Sequence, residues 1–109
     1  MRYKLYLDDI RCPAHVGSDF KNTTGWLLAR SYDEAVSIVM DKGCPVYISF
    51  DHDLGDENAK TGYDFAKWLV DQDLDYNIIP ADFEFNVHSA NPVGTANIIN
   101  LLDSYLKTR

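Results

Sequence analysis

Val46-Tyr-Ile-Ser-Phe-Asp-His-Asp53 runs from a β-forming segment straight into two carboxylates that flank an imidazole. Val46 to Phe50 is apolar on both faces, the pattern of a strand at the centre of a parallel sheet. Tyr3 to Leu7 repeats the arrangement near the start of the chain and stops at Asp8-Asp9. Two strands therefore deliver acids at their carboxyl ends. A third run, Trp26 to Ala29, is entered from Gly25, and Phe83, Phe85 and Val87 alternate with Glu84, Asn86 and His88. That alternation predicts an edge strand with one wet face.

Helical spacing fills the gaps. Ser31-Tyr-Asp-Glu34 reads as a capping box, and Tyr32, Ala35, Val36, Val39 and Met40 follow as an apolar stripe up to Gly43. A second helix is predicted from Gly62 to about Gln72, capped by Thr61 and carrying Phe65, Ala66, Leu69 and Val70. Asn91-Pro92 opens the last helix, with Asn as N-cap, Pro at the first helical position, and Ala96, Ile99, Leu102 and Leu106 as its buried stripe. Ile10 to Thr24 contains Pro13, Gly17 and Asn22, shows no helical period, and reads as a long loop where a crossover helix is expected.

Strands alternating with short right-handed crossovers predict an α/β fold with a doubly wound parallel sheet in the order 2-1-3-4. The switch point lies between the first and third strands, where Asp8, Asp9, Asp51 and Asp53 are expected to converge. The same connections leave one sheet face covered by the Ile10–Thr24 loop alone. The terminal helix is expected to swing onto that face, or two chains to share it, so monomer and homodimer both stay open.

The 109 residues are 46% hydrophobic and 25% charged, which predicts one domain over 1–109. Ten Lys plus Arg against seventeen Asp plus Glu give a net charge of -7. That balance opposes binding to duplex DNA or an anionic membrane. Cys12 and Cys44 form no CxxC pair, and no targeting or membrane-spanning segment is evident, which predicts a reduced, cytoplasmic protein. Cys12 lacks a clear His partner for a nucleophile's part, and Tyr63, Trp68 and Phe83 to Phe85 read as packing.

Four carboxylates at adjoining strand ends repel, and a hard divalent cation, Mg²⁺ or Mn²⁺, is the common solution. Proton uptake and pairing with Arg11 are alternatives, as are plain turn-capping acids facing solvent. Asp8, Asp9 and Asp51 are the better candidate ligands, and Asp53 completes the set. His52 and His88 fall at strand ends beside these acids, and imidazoles there suit general acid and base work; His15 lies in the loop. His88-Ser-Ala-Asn-Pro-Val-Gly94 places Ser89 and a helix start at the crevice, an arrangement that cradles an anion. Gly94 lets a ligand approach the backbone or permits close packing. Arg11 is placed to fork onto a phosphate.

Leu7-Asp-Asp-Ile-Arg11, Ser49-Phe-Asp-His-Asp-Leu-Gly55 and His88 to Gly94 followed by Asn97 resemble the signature blocks of the cyclic-phosphate processing receiver domain family of bacteria and phages. The resemblance spans almost the whole chain. It implies a divergent response-regulator receiver fold acting on cyclic phosphate groups of nucleotides or RNA ends. In that comparison Asp8 and Asp9 resemble the acidic pair that holds Mg²⁺, Asp51 sits where a receiver is phosphorylated, and Ser89-Ala90 resembles the Ser/Thr-Ala pair of the fourth strand. An ordinary receiver continues to a fifth strand with a phosphate-binding Lys and a fifth helix. These residues contain neither, which argues against ordinary phosphorelay signalling.

The function expected is thus a phosphoesterase that opens a cyclic phosphodiester. Its catalytic residues are His88, His52 and Asp51, its metal set is Asp8, Asp9, Asp51 and Asp53, and Arg11, Ser89, Asn91, Gly94 and Asn97 hold the substrate. A signalling or adaptor domain phosphorylated on Asp51 and a non-catalytic cyclic-nucleotide-binding module are the alternatives.

Overall fold

The computed structural model of the chain describes residues 2–9, 26–55 and 58–109. Four strands, β1 (Lys4–Leu7), β2 (Trp26–Ala29), β3 (Tyr47–Phe50) and β4 (Glu84–Val87), pair in parallel in the order β2-β1-β3-β4. Three helices accompany them, α1 (Tyr32–Lys42), α2 (Gly62–Tyr76) and α3 (Pro92–Thr108). The order is the doubly wound one the periodicity predicts. The reading of Ile10–Thr24 as a loop, with Arg11, Cys12 and His15, lies outside the described residues.

Register separates the two faces of the sheet. Leu5 pairs with Leu27 and Ile48, Leu7 with Ala29 and Phe50, and Ile48 and Phe50 with Phe85 and Val87. These side chains share one face and join Ala35, Val39, Phe65, Ala66, Leu69, Ile98 and Leu102 in a single core. Tyr6, Leu28, Ser49 and Asn86 form a row on the opposite face.

All three helices lie on the first face, with α2 packed between α1 and α3. The expectation that the terminal helix crosses to the other face is therefore corrected. The turn from β4 is short, and the apolar side of α3, Ile98 and Leu102 with Leu101 and Tyr105, is satisfied against α2 and the core. The predicted stripe holds at Leu102 and Leu106, but Ala96 and Ile99 are exposed. Met40 likewise points to solvent at 69% exposure. Among the described residues no helix is long and apolar enough to cross a membrane.

Caps explain the helix ends. Ser31 accepts from the Glu34 amide, but Glu34 Oε1 returns its bond to the Arg30 amide, one residue before the cap. Thr61 and Asp64 make the reciprocal box of α2. That helix outruns its predicted end by a turn and stops at Asn77 in the left-handed region, φ 54°. Asp73 supports the extra turn: its buried carboxylate accepts from the Ile79 amide at 2.8 Å, Tyr105 Oη at 2.6 Å and Arg109 Nη1 at 2.8 Å. Burial pushes the Asp73 carboxyl up, yet these three donors together hold it below the usual carboxylate range.

Candidate functional site

The sheet ladder continues one residue past the strands. The Asp8 amide donates to the Ala29 carbonyl at 3.0 Å, the Asp51 amide to Leu7 at 2.9 Å and the His88 amide to Phe50 at 2.8 Å. Asp8, Asp51 and His88 thus stand side by side in the next row. Side-chain alternation turns them to the face opposite α1, α2 and α3, two residues beyond Tyr6, Ser49 and Asn86. One ligand atom from each of the three lies within 4.8 Å of the others. Asp8 is fully buried and Asp51 nearly so, at 5% exposure.

His88 is held on three sides. Its Nε2 is 2.9 Å from Asp8 Oδ2, its Nδ1 is 2.7 Å from Ser49 Oγ, and its ring stacks on Tyr6 at 4.5 Å and 10°. A serine hydroxyl both donates and accepts, so Ser49 serves either tautomer of the ring. The ring can exchange a proton at Nε2, or offer that nitrogen to a cation, without leaving its place.

Ser49 and Tyr6 were not among the residues singled out from the sequence. The signal was there: each stands two positions before an acid on the same strand, and Ser49 is a polar residue in an otherwise apolar central strand.

A second group sits on the helix side of the sheet. His52 follows Asp51 and so points the other way, where its ring packs against Gly94 in the first turn of α3. Its Nδ1 is 2.8 Å from Asp53 Oδ1. That hydrogen bond, with a smaller part from Asn91, holds the exposed Asp53 carboxyl below its ordinary range. Asn91 caps α3 by accepting from the Gly94 amide at 2.9 Å, and its own amide donates to Ser89 Oγ at 3.0 Å.

The structure thus brings Asp8, Asp51 and His88 together, and places His52, Asp53, Ser89, Asn91 and Gly94 around the start of α3. Of the two roles open to Gly94, the geometry shows close packing, because a Cβ there would fall on the His52 ring. Its amide is engaged by the Asn91 cap. Asp9 follows Asp8 and is half-buried. Asn97 lines a groove between α2 and α3 with Tyr63 and Leu101. Arg11 lies outside the described residues.

A four-stranded parallel sheet in this order, with acids at the carboxyl ends of its two central strands, defines a receiver-like α/β domain. The family described as the cyclic-phosphate processing receiver domain matches residues 3–104, and the chain belongs to that family. Among solved structures, a fusion carrying a yeast trimeric coiled-coil segment is similar in fold, with a TM-score of 0.57 and 17% identity over 98% of this chain and 80% of that one. No curated protein matches the chain.

Proposed function

We propose that this receiver-like domain is a small metal-assisted phosphoesterase that opens cyclic phosphate esters of nucleotides or RNA ends, with Asp8, Asp51 and His88 at its centre. The observation that supports it is the meeting of two buried carboxylates and an imidazole within 4.8 Å, in a chain of the cyclic-phosphate processing receiver family. Two unit charges ~5 Å apart oppose each other by roughly 3 kcal/mol at an effective dielectric near 20. The two carboxylates fit a divalent cation that offsets this, Mg²⁺ or Mn²⁺, and leave the imidazole for proton transfer.

A cation held by Asp8 and Asp51 would supply Lewis-acid polarisation of a phosphoryl oxygen. His88 takes a proton from the attacking water at Nε2, in the tautomer whose Nδ1–H donates to Ser49. The water oxygen bonds to phosphorus as a ring P–O bond breaks, and the proton passes to the released sugar oxygen, leaving a phosphomonoester. Ser49 holds Nδ1 throughout and Tyr6 holds the ring plane. In this reading His88 does the proton work alone, while His52 and Asn91 order the first turn of α3.

Phosphorus NMR of 2′,3′-cyclic mononucleotides and cyclic-phosphate RNA ends tests the reading. Monoester resonances should grow with Mn²⁺ or Mg²⁺ and vanish with EDTA and in His88→Ala. Ligand that binds and stays unchanged would instead make the domain a binding module. A phosphoryl adduct from acetyl phosphate, lost in Asp51→Asn, would favour the signalling alternative.

A further inference from the structure

From Phe85 to Leu102 the chain carries no Asp, Glu, Lys or Arg, although 25% of its residues are charged. Much of that stretch is at the surface: Asn86, Val93, Ala96, Ile99 and Asn100 are exposed. Surface depleted of charge and dotted with apolar side chains has the composition of an interface core. The stretch also begins at an open sheet edge, because β4 pairs with β3 alone. The Glu84 and His88 amides donate to Val46 and Phe50, so the N–H and C=O groups of Phe85 and Val87 point away from the sheet. Among the described residues nothing bonds these groups, and the Glu84 and Asn86 side chains are likewise without a hydrogen bond or ion pair.

We propose that β4 is the seam of a two-fold homodimer, in which it pairs antiparallel with β4 of a second copy and Asn86 faces its own counterpart. Outward backbone groups must meet outward groups, so a strand of this length is centred on Phe85 or on Asn86. A pairing centred on Phe85 would draw on the Phe83 amide, which already donates to the Pro80 carbonyl at 3.1 Å. The pairing centred on Asn86 uses only the free groups of Phe85 and Val87. It also sets the exposed Glu84 of each copy opposite His88 of the other, an acid against an imidazole at the rim of the site. A second copy fits this surface because the surface complements itself: the edge offers donors and acceptors in equal number, and Asn86 carries both. Its lack of charge lets two acidic chains meet there and gives a charged partner nothing to recognise. The edge alone is short. A two-fold axis perpendicular to the sheet brings both α3 helices to one side, where Val93, Ala96 and Ile99 add the apolar area that a stable contact needs.

Sedimentation equilibrium of the wild type should show monomers and dimers with a Kd of about 10⁻⁴ M or tighter. Added salt should strengthen the dimer by screening the net charge of -7 on each chain. Asn86→Asp and Asn86→Lys each set like charges face to face, and each should weaken association about tenfold or more. An equimolar mixture of the two should regain it through the opposite charges. Asn86→Cys should form disulfide dimers on oxidation, because opposed residues of this kind stand ~4.5 Å apart at Cα. Glu84→Cys should not, and this pair carries the test should a charged variant fail to fold. A wild type that stays monomeric to about 1 mM overturns the proposal. So does a dimer that both charged variants leave intact, since association then belongs to another surface, and so does equal cross-linking of Asn86→Cys and Glu84→Cys.

Discussion

His88 Nε2 and Asp8 Oδ2 meet at 2.9 Å across eighty residues of chain, and the Asp8 carboxylate is fully buried at that contact. Removing the imidazole takes away both the proposed proton carrier and a partner of a buried acid. His88→Ala should slow ring opening by about 10²- to 10⁴-fold. It should also destabilise the fold by about 1–3 kcal/mol. Phosphorus NMR and urea unfolding read the two effects separately.

Ser49→Ala keeps the strand and the metal candidates but removes the 2.7 Å partner of His88 Nδ1. We expect kcat to fall by about one decade, the equivalent of one hydrogen bond, with KM unchanged. Imidazole ¹⁵N shifts should report a changed tautomer balance at His88. Unchanged shifts would show that Ser49 does not set the ring.

Mg²⁺ and Mn²⁺ should both bind through the Asp8 and Asp51 carboxylates, because the imidazole of the trio is kept for proton transfer. Asp8→Asn or Asp51→Asn should weaken both ions, and His88→Asn should leave the ratio of their affinities unchanged. Competition between Mg²⁺ and Mn²⁺ under electron paramagnetic resonance measures each case. A Mn²⁺ preference that shrinks in His88→Asn would put the imidazole in the ligand set and overturn its part as the base.

Gly62→Ala and Gly94→Ala probe the two supports of the site. A Cβ at Gly62 would fall on the Asp51 carbonyl oxygen, and one at Gly94 on the His52 ring. Backbone cannot yield as a ring can, so Gly62→Ala should be the more damaging. Each should cost about 1–3 kcal/mol or more by overpacking. Gly94→Ala should shift the His52 resonances and leave those of His88 in place.

Asp73 gives a pH dependence with a definite sign. Its folded pKa lies below its ordinary value, so its contribution is present above the unfolded value near ~3.9 and is lost as pH falls through the folded one. Asp73→Asn should lower stability at neutral pH by about 1–3 kcal/mol. Its loss of stability below about pH 4 should be shallower than that of the wild type. Urea midpoints at neutral and acidic pH measure this, and parallel curves for the two proteins would exclude Asp73 as the source.

Much of the fold was legible in the chain. Val46–Phe50 read as central and is flanked by β1 and β4, and Ser31, Thr61 and Asn91 cap the helices assigned to them. The misreadings have local causes. Met40 continues an apolar spacing but lies where α1 turns to solvent, and the last turn of α2 rests on Asp73, whose partners Tyr105 and Arg109 are more than thirty residues away. The α3 stripe holds at Leu102 and Leu106, while Ile98, Leu101 and Tyr105 face the core in place of Ala96 and Ile99. Its buried side is chosen by α2, and spacing alone does not say which of two adjacent apolar rows meets a neighbour.

By itself the sequence determined which segments form strands and helices, how they order in the sheet, and that acids and histidines stand at strand ends. These follow from period, caps and handedness, which are properties of short stretches. Tertiary structure decided which of those groups meet. Neighbouring residues on a strand project to opposite faces, so Asp51 and His52, adjacent in the chain, part company, while the ladder carries Asp8, Asp51 and His88 into one row from three distant segments. The sheet also gave the row its depth: with α1, α2 and α3 on the far face, burial of Asp8 and Asp51 depends on packing that no single segment encodes.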